Sequence, residues 1–370
     1  MKSKLSLILA LLLIPCLSSC DNLFSPSGGN DDPVIDDGDK EEGDDKEEGG
    51  DDTPTIFDND SELYKAFFDF NSKIEIELDF TNQAIYNLAQ YGVQDFNKKE
   101  MYHPCTAIFT INGVFKTYKG MGARMKGNTS RNEYFVNENG YFDKNSNVWF
   151  NMKLSFTETF SSNEDCDYYQ ETFSSDEKKQ ERKDRRFGAM KKFDMKWNKN
   201  FDNTFTKESY ANYILREEGL MSQRTNLVKL TVKSEKDSFE TVYQVLETVD
   251  KQSLKSNLGK DASKGNLYKC SWPVNFTPTS STNDDEPNHD VLNNFLNVVN
   301  TTGDSETAKS AIEAVVDVDY FLKYSALMWV IGNPDDLRNN TNNTYIYFNN
   351  KNNLMYPIPY DNDRCFGIMQ

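Results

Sequence analysis

Histidine is nearly absent from this chain: His103 and His289 are the only two in 370 residues, and both stand in polar loop contexts. Neither offers a nucleophile pair, which excludes histidine-built metal clusters and a Ser-His-Asp hydrolase. Positive charge is also in deficit. The 41 Lys plus Arg face 59 Asp plus Glu, a formal net charge of −18, so there is no basic face to track a phosphate backbone and a nucleic-acid partner is disfavoured. The six cysteines show no short paired spacing, which argues against structural zinc. The apolar run Leu5 to Ile14 is about half the length a bilayer-spanning helix needs.

That run nevertheless has a meaning. Lys2 and Lys4 precede it and Leu17-Ser18-Ser19-Cys20 follow it, the layout of a cleaved secretory signal over residues 1–19. Its ending resembles a bacterial lipoprotein signal, in which the Cys20 thiol receives a diacylglycerol. The expectation is therefore an extracytoplasmic protein, lipid-anchored to the bacterial cell membrane through Cys20. Residues 20–54 read as an acidic disordered tether: between 21 and 54 there are 14 Asp plus Glu, two Lys and almost nothing apolar. Asp and Gly alternate there, but no twelve-residue loop ending in Glu is flanked by helices, so a calcium hand is not expected. Of the remaining cysteines, Cys105, Cys166, Cys270 and Cys365 allow three disulfide pairings, or none.

After an N-terminal extension over 55–104, the chain turns β-rich. Residues 73–80 alternate apolar and polar, as do 107–111 and 114–118 about the turn Asn112-Gly113. In 148–156 and 193–197, Lys153 and Lys196 point away from the apolar face. The charged stretch 161–186 between them reads as an exposed insertion. A helix is expected over 207–218, closed by Gly219, then strands at 226–233 and 240–246. The C-terminal third turns helical, with an amphipathic helix at 305–316 and a nearly all-apolar one at 320–331 capped by Asp319.

Two acid- and amide-rich loops follow that last helix, separated by a short hairpin: Asn333-Pro334-Asp335-Asp336-Leu337-Arg338-Asn339-Asn340, then Asp361-Asn362-Asp363 before Phe366-Gly367. Phosphoryl transfer needs a carboxylate at the attacking hydroxyl, hard oxygen ligands for magnesium and a cation on the nucleotide phosphates. A base-type Asp with Asn five positions on, then a hairpin, then a metal-binding Asp near Phe-Gly is the order protein kinases use. Asp335, Asn340 and Asp361 have that order. The plainer reading is a pair of Asx-rich turns capping strands.

The string Lys126-Gly127-Asn128-Thr129-Ser130, the segment Val242 to Lys251, the Gly332-Asn333-Pro334-Asp335 loop with Asn342-Asn343, and Pro359-Tyr360-Asp361-Asn362-Asp363 occur in this order. Together they resemble the CotH family of atypical secreted protein kinases, named for a spore-coat protein, over residues 105–370. The resemblance implies an α+β, two-lobed, kinase-like fold with a β-rich N-lobe and a helical C-lobe. It also implies ATP with Mg2+ or Mn2+, and transfer of the γ-phosphate to Ser or Thr of a secreted or cell-surface protein. Carried over by motif, Asp335 is the base with Asp336 as its rival. Asp361 holds the metal with Asp363 in support, and Asn340 or Asn343 is the amide ligand. Lys153 is the leading phosphate-binding lysine and Lys196 competes, with Lys126 and Asn128 as further nucleotide contacts.

Glu247 either lines the purine site or pairs with Lys251 one helical turn on. Lys153 and Lys196 can equally be solvated strand faces, and Gly120, Gly122 and Gly127 ordinary turn glycines. The chain stops three residues after Phe366-Gly367, where family members continue, which predicts poor cover for the apolar helix at 320–331. A second reading is a surface protein that keeps the kinase-like shape without turnover; a third, weaker one is an adhesin or glycan-binding module.

Overall fold

The computed structural model describes residues 60–367, apart from 94–97, 128–134, 145–149, 198–201, 203, 272–274, 281–287, 304–306 and 340. The expectations for Cys20, the signal and the tether, and for Asn128 and Asn340, lie outside the described residues.

The first part of the described chain runs α1 (Asp60–Phe67), β1 (Ile74–Asp79), α2 (Asn82–Val93), β2 (His103–Ile111), β3 (Val114–Lys126), β4 (Asn151–Ser155), α3 (Asp167–Thr172), α4 (Asp176–Asp184), β5 (Lys192–Lys196), α5 (Lys207–Glu217), β6 (Thr225–Lys233) and β7 (Ser238–Glu247). Its seven strands close into a barrel in the order β1-β2-β3-β4-β5-β7-β6. Closure leaves no unpaired strand edge. The period-2 pattern read from the sequence fills the interior: Ile76, Leu78, Met152, Leu154, Phe193 and Met195 all point inward, each at most 1 % exposed. Phe67 of α1 and Phe187 join Phe109, Phe156 and Phe193 in a cluster of stacked, tilted and edge-to-face rings, with centroids 4.6–6.5 Å apart. Asn112 and Gly113 both have positive φ, 51° and 88°, the left-handed pair a tight hairpin requires.

The second part runs α6 (Lys251–Leu258), β8 (Asn266–Ser271), β9 (Asn275–Ser280), α7 (Asp290–Thr301), α8 (Ala308–Glu313), α9 (Val318–Ile331), β10 (Thr344–Phe348) and β11 (Met355–Pro359). Four strands form a second sheet, ordered β11-β10-β8-β9. Tyr268, Cys270, Ile346 and Phe348 face α9 and its neighbours on one side. Leu267, Tyr345, Tyr347 and Ile358 face α6 on the other. With both faces covered, β10 reads TYIYF without polar alternation, and all five positions are buried.

The architecture is mixed α+β and departs from expectation in several places. The C-terminal part is not simply helical, because the sheet containing β8 and β9 lies within it. The segment read as an extension supplies a barrel strand: β1 pairs antiparallel with β2 and parallel with β6. The insertion is not merely exposed. Arg182 of α4 is 7 % exposed and donates to the Gly120 carbonyl at 2.7 Å. Gly120, at φ 60°, leaves no room for a side chain beneath the Tyr168 ring. His103 is a buried strand residue, and burial pushes its imidazole down to about 4. The cap of α9 is Asp317, whose carboxylate accepts the Tyr320 N–H at 3.0 Å, not Asp319. That helix is well covered at Phe321, Tyr324, Met328 and Ile331, while Trp329 and Val330 stand exposed. The four cysteines among the described residues, Cys105, Cys166, Cys270 and Cys365, are free and buried. No helix among the described residues is long and apolar enough to cross a membrane.

Candidate active site

Strand alternation builds the first half of the site on the outer face of the barrel. Met125, Met152 and Met195 point inward, so Lys126, Lys153, Asp194 and Lys196 point outward, and cross-strand pairing sets Lys153 beside Asp194. Asp194 is 1 % exposed. Lys126 Nζ donates to its Oδ2 at 2.6 Å, and Lys153 Nζ lies 3.3 Å from its Oδ1. Burial alone would push the Asp194 carboxyl up, but these two ammonium groups hold it well below the usual carboxylate range. Burial brings Lys153 down to about 8 in spite of Asp194.

Lys196 ends β5 two residues further on. The expectation of a solvated strand face does not hold for it, since the side chain is 5 % exposed. Its ammonium group donates to Glu208 Oε1 of α5 at 2.8 Å, is ion-paired with Asp361 Oδ1 and lies 3.8 Å from Asp363 Oδ2. Burial disfavours the charged amine, yet Asp361, Glu208 and Asp363 overcome this and raise its pKa well above the ordinary lysine value. Asp361 is lowered despite burial, through Lys196 and Lys126. Asp363 is raised to about 7 by burial and by the Asp361 charge beside it. Three carboxylates around one ammonium leave a local surplus of negative charge.

The C-terminal loops close the other side. Tyr360, just after β11, accepts from Lys126 Nζ at 2.7 Å, and Lys269 of β8 lies over its ring, 4.8 Å from the centroid. The Tyr360 N–H donates to the Asn343 carbonyl at 3.0 Å, which ties the two acidic loops together. Asn343 and Asn342 donate their amides to Asp335, at 2.9 and 3.3 Å. A relay of buried amides continues inward: Asn333 donates to Asn362, Asn362 to Asn212 of α5, and Asn212 to the Glu208 carbonyl, at 2.9–3.2 Å. Asn343, Asp361, Thr341 and Phe366 all have positive φ, 46–59°.

Asp335 and Asp336 have different surroundings. Asp335 is half-buried with its oxygens toward Asn342 and Asn343. Asp336 is fully buried, and Arg338 grips its Oδ2 with Nε and Nη2, both at 2.6 Å, while the Arg338 and Asn339 N–H groups donate to Oδ1. Burial raises the Asp336 carboxyl despite that pairing. The two aspartates thus differ in what they meet: a guanidinium and backbone N–H groups at Asp336, side-chain amides at Asp335.

A family model described as CotH kinase protein matches residues 162–370, more than half of the chain. The chain belongs to the CotH family. No curated protein matches it. Within the CotH match fall Asp194, Lys196, Glu208, both acidic loops and the amide relay, whereas Lys126 and Lys153 precede it.

Glu247 does not join the cluster. It shares the inward face of β7 with Val245, across from Phe193 and on the other side of the sheet from Lys196, and its carboxylate takes Tyr64 OH and the Arg224 N–H and lies 3.6 Å from the Arg224 guanidinium. Several cluster members were missed in the sequence: Asp194, Glu208, Asn212, Asn362, Tyr360 and Lys269. Asp194 had a signal, since it shares the face of Lys196 two residues away. Glu208 had another, because a strand lysine followed by a helix glutamate is the pairing kinases use.

The donors Asp361, Asp363 and Asn343 are all hard oxygens, a set that fits magnesium or manganese better than zinc. Among the described residues no three His, Cys, Asp or Glu side chains are grouped to hold a metal unaided. Magnesium commonly takes only one or two carboxylates and fills the rest of its shell with phosphate and water, so the set fits that class of ion.

Proposed function

We propose that this CotH-family chain is a phosphotransferase that moves the γ-phosphate of ATP to Ser or Thr hydroxyls of secreted or cell-surface proteins, from a membrane anchor at Cys20. The barrel and the C-terminal part serve as the two lobes of a kinase-like fold. The observation that carries the reading is Lys196, bridging Glu208 of a helix and Asp361 of the second acidic loop, since kinases need a lysine, a helix glutamate and a metal-binding aspartate together. Lys196 is the phosphate-binding lysine, ahead of Lys153, and Glu208 fixes its position. Lys126 and Lys153 add positive charge along the same face, held apart by Asp194. Asp361, with Asp363 and the Asn343 amide, would hold Mg2+ or Mn2+, which when bound neutralises charge on the phosphates. Asp335, steered by Asn342 and Asn343, accepts the proton of the acceptor hydroxyl.

The direct contact between Lys196 and Asp361 supports a second reading, a kinase-like surface protein without turnover, because that pair closes the space a nucleotide would use. One experiment separates them. Purified protein is incubated with labelled ATP, Mg2+ or Mn2+ and its own secreted proteins, and phosphosites are read by mass spectrometry. Metal-dependent transfer that Asp361→Ala abolishes supports the enzyme; ATP binding with unchanged metal dependence in that variant overturns the assignment. Cys20→Ser protein that still fractionates with membranes would overturn the anchor.

A further inference from the structure

A cavity of about 330 Å³ lies away from this cluster, between the residues following α1 and the outer side of α5. Its wall includes Lys65, Asp69, Arg216, Arg224 and Gln223, and the aromatic rings of Phe70 and Tyr213 form part of its lining. The charges do not balance. Arg224 is paired with Glu247, but Arg216 donates only to neutral acceptors, the Ser222 carbonyl at 3.3 Å and Asn257 Oδ1 at 2.8 Å. Among the described residues no carboxylate lies within ion-pair distance of Arg216. Asp69 does not supply one, because its Oδ1 takes the backbone and side-chain N–H groups of Asn71 at 2.9 and 3.0 Å. A part-buried guanidinium without a counter-ion is costly, and burial lowers its pKa accordingly.

A further feature narrows the ligand. Phe70 and Tyr213 meet edge to face at 6.3 Å, yet 53 % of Phe70 and 44 % of Tyr213 remain exposed, a platform for a ring.

We propose that this cavity binds a small carboxylate carried on a ring, with the carboxylate on the open edge of Arg216 and the ring against Phe70 and Tyr213. A guanidinium fork can hold a carboxylate through two parallel hydrogen bonds, and the aromatic pair, which inorganic phosphate cannot use, sets the preference for a ring-bearing acid. The volume lies at the small end of ligand pockets, which limits the occupant to about one ring. An aromatic acid and a cyclic sugar acid share this chemistry.

The test is calorimetric titration of the full chain with acetate, inorganic phosphate, benzoate and glucuronate, without nucleotide, so its outcome does not depend on phosphotransfer. Expected is saturable binding of benzoate or glucuronate, at least about tenfold tighter than acetate or phosphate, with the tighter of the two naming the source. Arg216→Gln should weaken binding about tenfold or more. Phe70→Ala, at an exposed position that the fold does not depend on, should erase the preference for the ring-bearing acid while leaving thermal unfolding unchanged. Absence of saturation by all four probes up to about 10 mM, or a Phe70→Ala protein that still ranks the probes as wild type does, overturns the proposal.

Discussion

The barrel and the C-terminal loops bury polar groups in opposite ways. Inside the barrel the core is apolar and aromatic, and Lys126, Lys153 and Lys196 sit on its outer face, where Asp194 and the loops meet them. In the loops, Asn333, Asp336, Asn343 and Asn362 are themselves buried, and each has partners within the two loops or on α5. Apolar packing tolerates sliding and repacking, whereas a buried amide or carboxylate is stable only in one arrangement. The barrel therefore acts as a frame, and the loops fix where individual oxygen atoms stand.

Breaking the junction between the two should have the largest effect. Lys196→Met leaves Glu208 and Asp361 without their cation, with an expected loss of about 3–5 kcal/mol in urea unfolding together with loss of phosphotransfer. Phe109→Ala, in the frame, should cost about 3 kcal/mol through its cavity but leave ATP affinity unchanged in the folded protein, as fluorescence titration would show. A change in affinity there would erase the distinction between frame and site. Asp335→Asn should do the reverse, leaving the unfolding midpoint in place and cutting turnover about a hundredfold. Asp336→Asn, in contrast, should lower the unfolding free energy by about 1–3 kcal/mol with a smaller effect on turnover, since it loosens Arg338.

The smallest effect is in acid. Asp194 has a folded-state pKa below its unfolded value of about 3.9, so its contribution is complete above that value and is lost progressively as the pH falls from there towards the folded-state pKa. The stability of wild type relative to Asp194→Asn should therefore shrink between about pH 4 and pH 2, measured as the difference in urea midpoints. A constant difference would mean that Lys126 and Lys153 do not hold Asp194 ionised.

Much of the barrel was legible because alternation is written locally: Met152, Leu154, Phe193 and Met195 declare their face by position alone. The hairpin at Asn112-Gly113 and the stop at Gly219 were equally local. The second sheet was not, since β10 is buried on both faces and shows no alternation, and β8 finds β10 from more than 70 residues away. At the site, the aspartates of the two loops could be named from spacing. What Lys196 meets could not, because a strand lysine pointing out of a barrel looks the same in sequence whether water or a second layer covers it. Spacing to Asn340 already favoured Asp335 over Asp336, with Arg338 as a partner for the other carboxylate, and the structure shows Arg338 on Asp336.

The left-handed backbone of the two acidic loops bears on how this protein tolerates change. Asn343, Thr341, Asp361 and Phe366 occupy a region that costs most non-glycine residues about 1 kcal/mol, less for Asn and Asp. A chain that needed only the shape of these loops would gain stability by placing glycine at each of them. With side chains there instead, part of the folding free energy is held in reserve at the loops, and glycine at Thr341 is the exchange by which this protein would become hardier without touching a carboxylate.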